Sequence, residues 1–228
     1  MKHPLRATLA VCALMIAAPA AADIIHVSPS DQNGTTVHND GSASQGSTVL
    51  GELGQGSGID VIFTGSTTKN NDLRLSNGQG QATITGGLDT STKNPNDTYG
   101  ITSFNVGLED TGLFNWIELS MMGSGTVSFS LLDNLGNIFT SDPTGDFIFD
   151  LTNGQNKFAF QAVDGQSIAG LSFDVTGGSV SSVSQIRIGQ AAAAAVPEPA
   201  TWAMALLGFG AIGFAMRGKR RPVLTQMA

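Results

Sequence analysis

"NGQNKFAFQAVDGQSIAGLSFDV", residues 153–175, holds two short segments in which apolar and polar residues alternate, parted by a run of turn formers. In "KFAFQAV" (Lys157 to Val163) Phe158 and Phe160 fall on one side of an extended chain, and in "GLSFDV" (Gly170 to Val175) Leu171 and Phe173 do the same. A repeat of two marks a strand with one buried face. The "VDGQ" between them supplies the Asp and Gly that tight turns select.

The same period recurs outward in both directions. It is found in "IDVIF" (59–63), "ATIT" (82–85), "ITSFNVGL" (101–108), "FNWIEL" (114–119), "TVSFSLL" (126–132), "FIFDL" (147–151) and "SQIRIG" (184–189). Turn-forming runs separate these segments, among them "SNGQG", "NPND", "DNLGN", "SDPTGD" and "TGG". No helical period of useful length interrupts them. Short strands at regular spacing predict a single all-β domain over 59–190, an antiparallel β-sandwich of jelly-roll type. Phe104, Val106, Phe129, Leu131, Phe158, Phe160, Leu171, Phe173, Ile186 and Ile188 are its expected inward residues. Ahead of it, residues 23–58 form a polar segment rich in Gly, Ser and Asn, expected from Asp31 to Gly58 to be loop. A short linker, 191–196, follows it.

The first 22 residues read as a secretory signal peptide. Lys2, His3 and Arg6 precede the apolar "ATLAVCALMIAA", and Ala20 and Ala22 give the small side chains a signal peptidase accepts, so the mature chain is expected to begin at Asp23. A lipoprotein reading would place Cys12 first in the mature chain, but Val11 is too bulky for the residue before it. Cys12 is the single cysteine of the sequence, so its removal leaves no disulfide, thiolate or cysteine metal ligand. Between residues 23 and 195 stand 17 acidic and 5 basic side chains, a net of about −12. That balance argues against nucleic acid and anionic lipid as partners, since both require Lys and Arg.

The C-terminal end has its own grammar. Ala200 to Met216 carries no charge and, as a helix at ~1.5 Å per residue, reaches the lower limit for spanning hydrocarbon. Arg217, Lys219, Arg220 and Arg221 follow at once and would stay cytoplasmic. Pro197 and Pro199 hold the preceding peptide extended and accessible. Pro197, Glu198, Pro199, Trp202 and Ala203, with the apolar helix and the basic end, resemble the PEP-CTERM sorting signal in its PEPxxWA variant. The resemblance implies Sec export, a transient inner-membrane precursor, processing near Pro-Glu-Pro by an exosortase, and a Gram-negative host that makes exopolysaccharide and biofilm. It covers 197–221 and transfers an address rather than an activity. An ordinary permanent anchor is the alternative, though it gives Trp202 and the Pro-Glu-Pro no task. "GFGAIG" (Gly208 to Gly213) matches a dinucleotide-binding pattern only formally, since no strand precedes it and no acidic residue follows at the right distance.

Candidate sites in the body are few. Outside the signal peptide only His26 and His38 could serve as bases, and "GQSIA" (Gly165 to Ala169) lacks the final Gly and the following helix of a nucleophile elbow. "QGSGIDVIF" (Gln55 to Phe63) approximates a calcium-binding nonapeptide, yet such repeats bind only when stacked and no second copy exists. Asp133, Asp142 and Asp146 place carboxylates in neighbouring turns, which makes calcium a candidate cofactor, the only one suggested. Phe114, Trp116 and Glu118 share one face of "FNWIEL" and form a candidate glycan-stacking surface should that face be open. If the sheet turns the other way, Trp116 is core. Glu109, Glu118, Asp150 and Asp174 are the carboxylates a glycoside hydrolase would need in pairs. The expectation is therefore a non-enzymatic structural or adhesive matrix protein with exopolysaccharide as partner. The alternatives are a polysaccharide hydrolase and a permanently anchored envelope protein.

Overall fold

A computed structural model describes residues 23–29, 34–39, 45–69, 72–78, 80–89, 97–190 and 207–210. The strands are β1 (Asp23–Val27), β2 (Thr35–His38), β3 (Gln45–Gly46), β4 (Thr48–Leu53), β5 (Asp60–Thr67), β6 (Leu73–Gly78), β7 (Gln81–Gly86) and β8 (Ile101–Leu108). After a 3-10 turn (Glu109–Thr111) come β9 (Phe114–Asp133), β10 (Ile138–Phe139), β11 (Ser141–Asp142), β12 (Gly145–Asp146), β13 (Ile148–Leu151), β14 (Gln155–Val163) and β15 (Ile168–Gln190). The fold is the all-β sandwich that the alternation predicts.

Its two layers share their longest strands. As β15 advances from Gly170 to Gln190, its partners on β9 run back from Leu132 to Phe114, so the two chains travel in opposite directions along one ladder. The first part of β9 is flanked by β14, which in turn pairs with β1. The second part is flanked by β13 and β10. β15 pairs with β8 through its first half and with β2 and β7 through its second. Pairings β2–β4, β4–β5 and β5–β8 then close a ring back to β15.

Aromatic side chains fill the space between the layers. Phe129 of β9 lies 4.9 Å from both Phe158 and Phe160 of β14, centroid to centroid, which is contact across the core rather than along a sheet. Phe63, Phe104 and Phe173 continue the row at 5.8 and 5.2 Å. All ten residues expected to point inward are buried. Each fully buried Phe contributes ~1.5–3 kcal/mol, so this row is the main hydrophobic stabilisation in a chain without a disulfide in the domain.

Two expectations require correction. "FNWIEL" and "TVSFSLL" are one 20-residue strand, and "GLSFDV" and "SQIRIG" are one of 23 residues. The glycines between them serve a crossing, not a turn. Gly125 and Gly177 take positive φ of 100° and 70°, the register shifts between Thr176 and Ser179, and a Cβ on Gly123 would lie 2.6 Å from the Ser179 carbonyl oxygen. The stretch from Asp31 to Gly58, expected as loop, carries β2, β3 and β4. Val37, Val49 and Leu53 are sparse but all point into the core.

The signal peptide with Ala20 and Ala22, the motif Pro197 to Ala203 and the basic cluster Arg217 to Arg221 lie outside the described residues. Of the Ala200 to Met216 segment, 207–210 are described and helical. Among the described residues no helix is long and apolar enough to cross a membrane.

The crossing yields a first prediction. A Cβ on Gly178 would collide with the Ser124 carbonyl oxygen, so Gly178→Ala is expected to destabilise the domain by at least ~1–3 kcal/mol, measured by urea unfolding. An unchanged midpoint would show that the strands can separate at no cost.

Candidate functional site

Side chains directly opposite across a sheet share a face, so the registers define rows on the outer surface of the layer formed by β5, β8, β15 and β9. One row runs Thr64, Asn105, Ser172, Ser130. The neighbouring row runs Ile62, Gly107, Gly170, Leu132 and, on β10, Ile138. In the second row two glycines sit side by side between aliphatic residues. The result is a groove of about 440 Å³ between them. Its floor is Gly107 and Gly170, and its walls include Ile62 and the exposed Leu132 (42 %) and Ile138 (69 %). The polar row lies along one side, with the Ser172 hydroxyl donating to the Ser130 carbonyl oxygen at 3.2 Å. None of the lining residues is charged.

Neither glycine is there for the backbone. Both lie in extended strand without positive φ, and a Cβ on either would meet a carbonyl oxygen at 3.4 Å, an ordinary contact. Glycine inside a strand weakens it, and a common reason to keep one is the close approach of something to that surface. The sequence holds this signal in "NVGL" and "IAGLSF", where a glycine occupies the outward position of an alternating pattern. The signal is weak, because it appears only once the two strands are placed side by side.

The aromatic candidates are elsewhere and closed. Phe114 and Trp116 are buried, as is Glu118, so the open stacking surface on "FNWIEL" does not exist. Both faces of this part of β9 are covered. Ile117 and Leu119 face the core, while Trp116 lies on the opposite face beneath Gly34, whose Cβ would run into the indole ring. Trp116 Nε1 has no hydrogen-bond partner among the described residues.

The acidic turns hold themselves together. The Asp133 carboxylate accepts from the Leu135 N–H at 2.8 Å, the Asn137 N–H and side-chain amide at 2.7 Å each, and the Gln166 side-chain amide. Burial pushes its pKa up, but these donors outweigh burial and hold it below the ordinary carboxylate value. Asp142 is likewise lowered against its burial, by Thr144, by the His26 N–H at 2.8 Å and by the Gly145 N–H. Asp146 is exposed and pairs in register with Ser141. The three carboxylates are not assembled into a ligand set, and among the described residues no group of three or more His, Cys, Asp or Glu could hold a metal. Asp133 and Asp142 each accept backbone N–H groups, the bonding that turn-forming Asp residues make.

The four hydrolase candidates are dispersed. Glu118 is buried; Glu109, in the 3-10 turn, has its pKa raised by a hydrogen bond and charge repulsion from Asp60. Asp150 accepts the Thr126 hydroxyl at 2.7 Å, and Asp174 stands on the outer face in register with Ser128. None of the four lines the groove. His26, half-buried with its ring 4.7 Å from Phe149, has its pKa lowered by burial against the opposing pull of Asp142. The turn of "GQSIA" leads into β15, not into a helix.

Residues 195–221 match the PEP-CTERM protein-sorting motif. The chain therefore carries the sorting signal that the Pro-Glu-Pro, the apolar run and the basic end imply. No curated protein matches the chain. Among solved structures, a variant of the family 29 carbohydrate-binding module CBM29-2 is 13% identical with a TM-score of 0.34, covering 64% of this chain and 90% of that one. A family 29 module from Piromyces equi is 13% identical with a TM-score of 0.31, covering 64% of this chain and 91% of its own. The family 11 module of a cellulosomal cellulase from Clostridium thermocellum is 12% identical with a TM-score of 0.29, over 73% of this chain and all of the module. At these values the likenesses carry no argument about ligand.

Asp133 sets a pH prediction. A carboxyl whose pKa is depressed on folding adds stability that is present above its unfolded value and lost as pH falls through its folded value. The urea midpoint is expected to fall as pH drops from about 5 downward, and Asp133→Ala should flatten that slope while costing ~1–3 kcal/mol at neutral pH. Identical slopes in the two proteins would mean that the Asp133 hydrogen bonds do not stabilise the fold.

Proposed function

We propose that this is an exported surface protein of the exopolysaccharide or biofilm matrix, delivered through its C-terminal sorting signal, whose β domain is structural or adhesive and contacts polysaccharide at the groove. The observation that carries this reading is the PEP-CTERM motif at 195–221. In this reading Met1 to Ala22 directs the chain to the Sec translocon and is cut by signal peptidase before Asp23. The apolar helix of Ala200 to Met216 then holds the precursor in the inner membrane, with Arg217, Lys219, Arg220 and Arg221 on the cytoplasmic side. An exosortase acts near Pro197, Glu198 and Pro199, and Trp202 and Ala203 complete the motif it reads. Nucleic acid is not a partner of so acidic a domain. The groove has no carboxylate in its lining, which favours binding over hydrolysis there.

The test is replacement of Pro197, Glu198 and Pro199 together by Ala. Export and membrane insertion should persist, because the signal peptide, the apolar helix and the basic cluster still set topology. Full-length precursor should accumulate in the inner-membrane fraction of an exosortase-bearing host, as the unaltered protein should in a host without the enzyme. Processing of the triple variant at the normal rate would remove the Pro-Glu-Pro from the recognition step.

A further inference from the structure

The geometry points to the Gly107–Gly170 groove as a binding site for one unbranched and electrically neutral polysaccharide chain. This rests on the reading of the protein as a matrix component and adds the site and the ligand class. Three observations carry it. First, glycine at 107 and 170 has no backbone justification: neither has positive φ, and neither would suffer a close Cβ contact. Their missing side chains leave a floor that a ligand can touch, at the stability cost that glycine brings to a strand.

Second, the two rows match the two kinds of surface a pyranose presents. Ile62, Leu132 and Ile138 offer aliphatic contact to C–H faces, while Thr64, Asn105, Ser172 and Ser130 offer hydroxyl and amide groups beside them. The polar groups come from successive strands, spaced ~4.8 Å apart. A branch would meet the walls.

Third, the site is uncharged inside a strongly acidic domain. No Asp, Glu, Lys, Arg or His lines it, and the carboxylates that flank it on the same face are Asp174, two residues along β15 from Ser172, and Asp60, two residues along β5 from Ile62. An anionic chain would find no cation in the groove and would face repulsion at its flanks. A neutral chain loses nothing.

The experiment uses the processed protein recovered from outside an exosortase-bearing host, titrated calorimetrically with neutral gluco-, manno- and xylo-hexasaccharides and with an alginate hexamer. At least one neutral hexasaccharide should bind and alginate should not. Gly170→Leu should abolish binding while leaving the urea midpoint nearly unchanged, in contrast to Gly178→Ala. Asn105→Ala, which leaves the groove open, should weaken binding about tenfold and keeps the test decisive if the leucine variant fails to fold. Neutral binding unaffected by either variant would leave the polysaccharide reading standing and overturn the groove as its site. Binding of alginate alone would overturn the neutral class. No binding to any hexasaccharide would overturn both the site and the polysaccharide reading. A dimer dissolved by Gly170→Leu, with no sugar bound, would assign the groove to a second copy of the chain and overturn the proposal.

Discussion

The backbones of β9 and β15 approach each other at Gly123, Gly125 and Gly178 more closely than any side chain would permit. A Cβ at Gly125 would lie 2.5 Å from the Thr176 carbonyl oxygen, and one at Gly178 would overlap Ser124. Because the two strands pass here without ending, each serves both layers. The first half of β15 and the second half of β9 form the floor and one side of the grooved sheet, while their other halves hold β14 and β2. The phenylalanine row then has two facing surfaces to fill, and the ring of pairings through β2, β4, β5 and β8 can close. Glycine thus does two opposite things in this molecule. At the crossing it is required by backbone contact, and at 107 and 170 it is permitted by it.

Three carboxylates, Asp133, Asp142 and Glu52, are held by backbone N–H groups. Asp133 and Asp142 each gather several N–H donors, and Glu52 accepts from the Gly58 N–H at 2.9 Å within a loop where Gly54, Gly56 and Gly58 all take positive φ. Those backbone donors, Gly58 and Gly56 foremost, hold the Glu52 pKa below its ordinary value. Such amides solvate a carboxylate without adding a positive charge, so the domain keeps its net negative charge and still fixes its turns. Asp142 has a second role at the sheet margin. By accepting the His26 N–H it occupies a donor on edge strand β1, one of the devices that discourage a foreign strand from pairing there.

Much of this was legible in advance. Alternation in "KFAFQAV", "GLSFDV" and "ITSFNVGL" reports which side chains are inward because a strand alternates its faces without exception. The tail could be read because motif, apolar run and basic end act through order along the chain, not through folding. The failures have physical causes. A turn and a crossing both demand glycine, so "MMGSG" and "TGG" could not be told from chain reversals. Sparse apolar residues at Val37 and Val49 hid two strands, because a short strand needs only one or two anchors once its neighbours supply the rest of the core. Alternation separates the Trp116 face from the Ile117 face but cannot show that Gly34 closes over the former. The groove depends on Gly107 and Gly170 being paired across strands some sixty residues apart in sequence, a fact of register alone.

The position of β15 in the chain has a consequence for the order of events during biogenesis. This last strand of the domain pairs with β2, β7, β8 and β9, while β1 waits for β14. Pairings between such distant segments make closure slow, since the entropy of joining the ends is lost before the contacts form. A chain threaded N-terminus first across a membrane therefore cannot complete its core until Gln190 has emerged, and the sorting segment that begins at residue 195 follows almost at once. Up to that moment the emerging polypeptide has no finished core to resist transport. On the proposed export route, completion of the core and emergence of the sorting segment would be timed by the same few residues of chain.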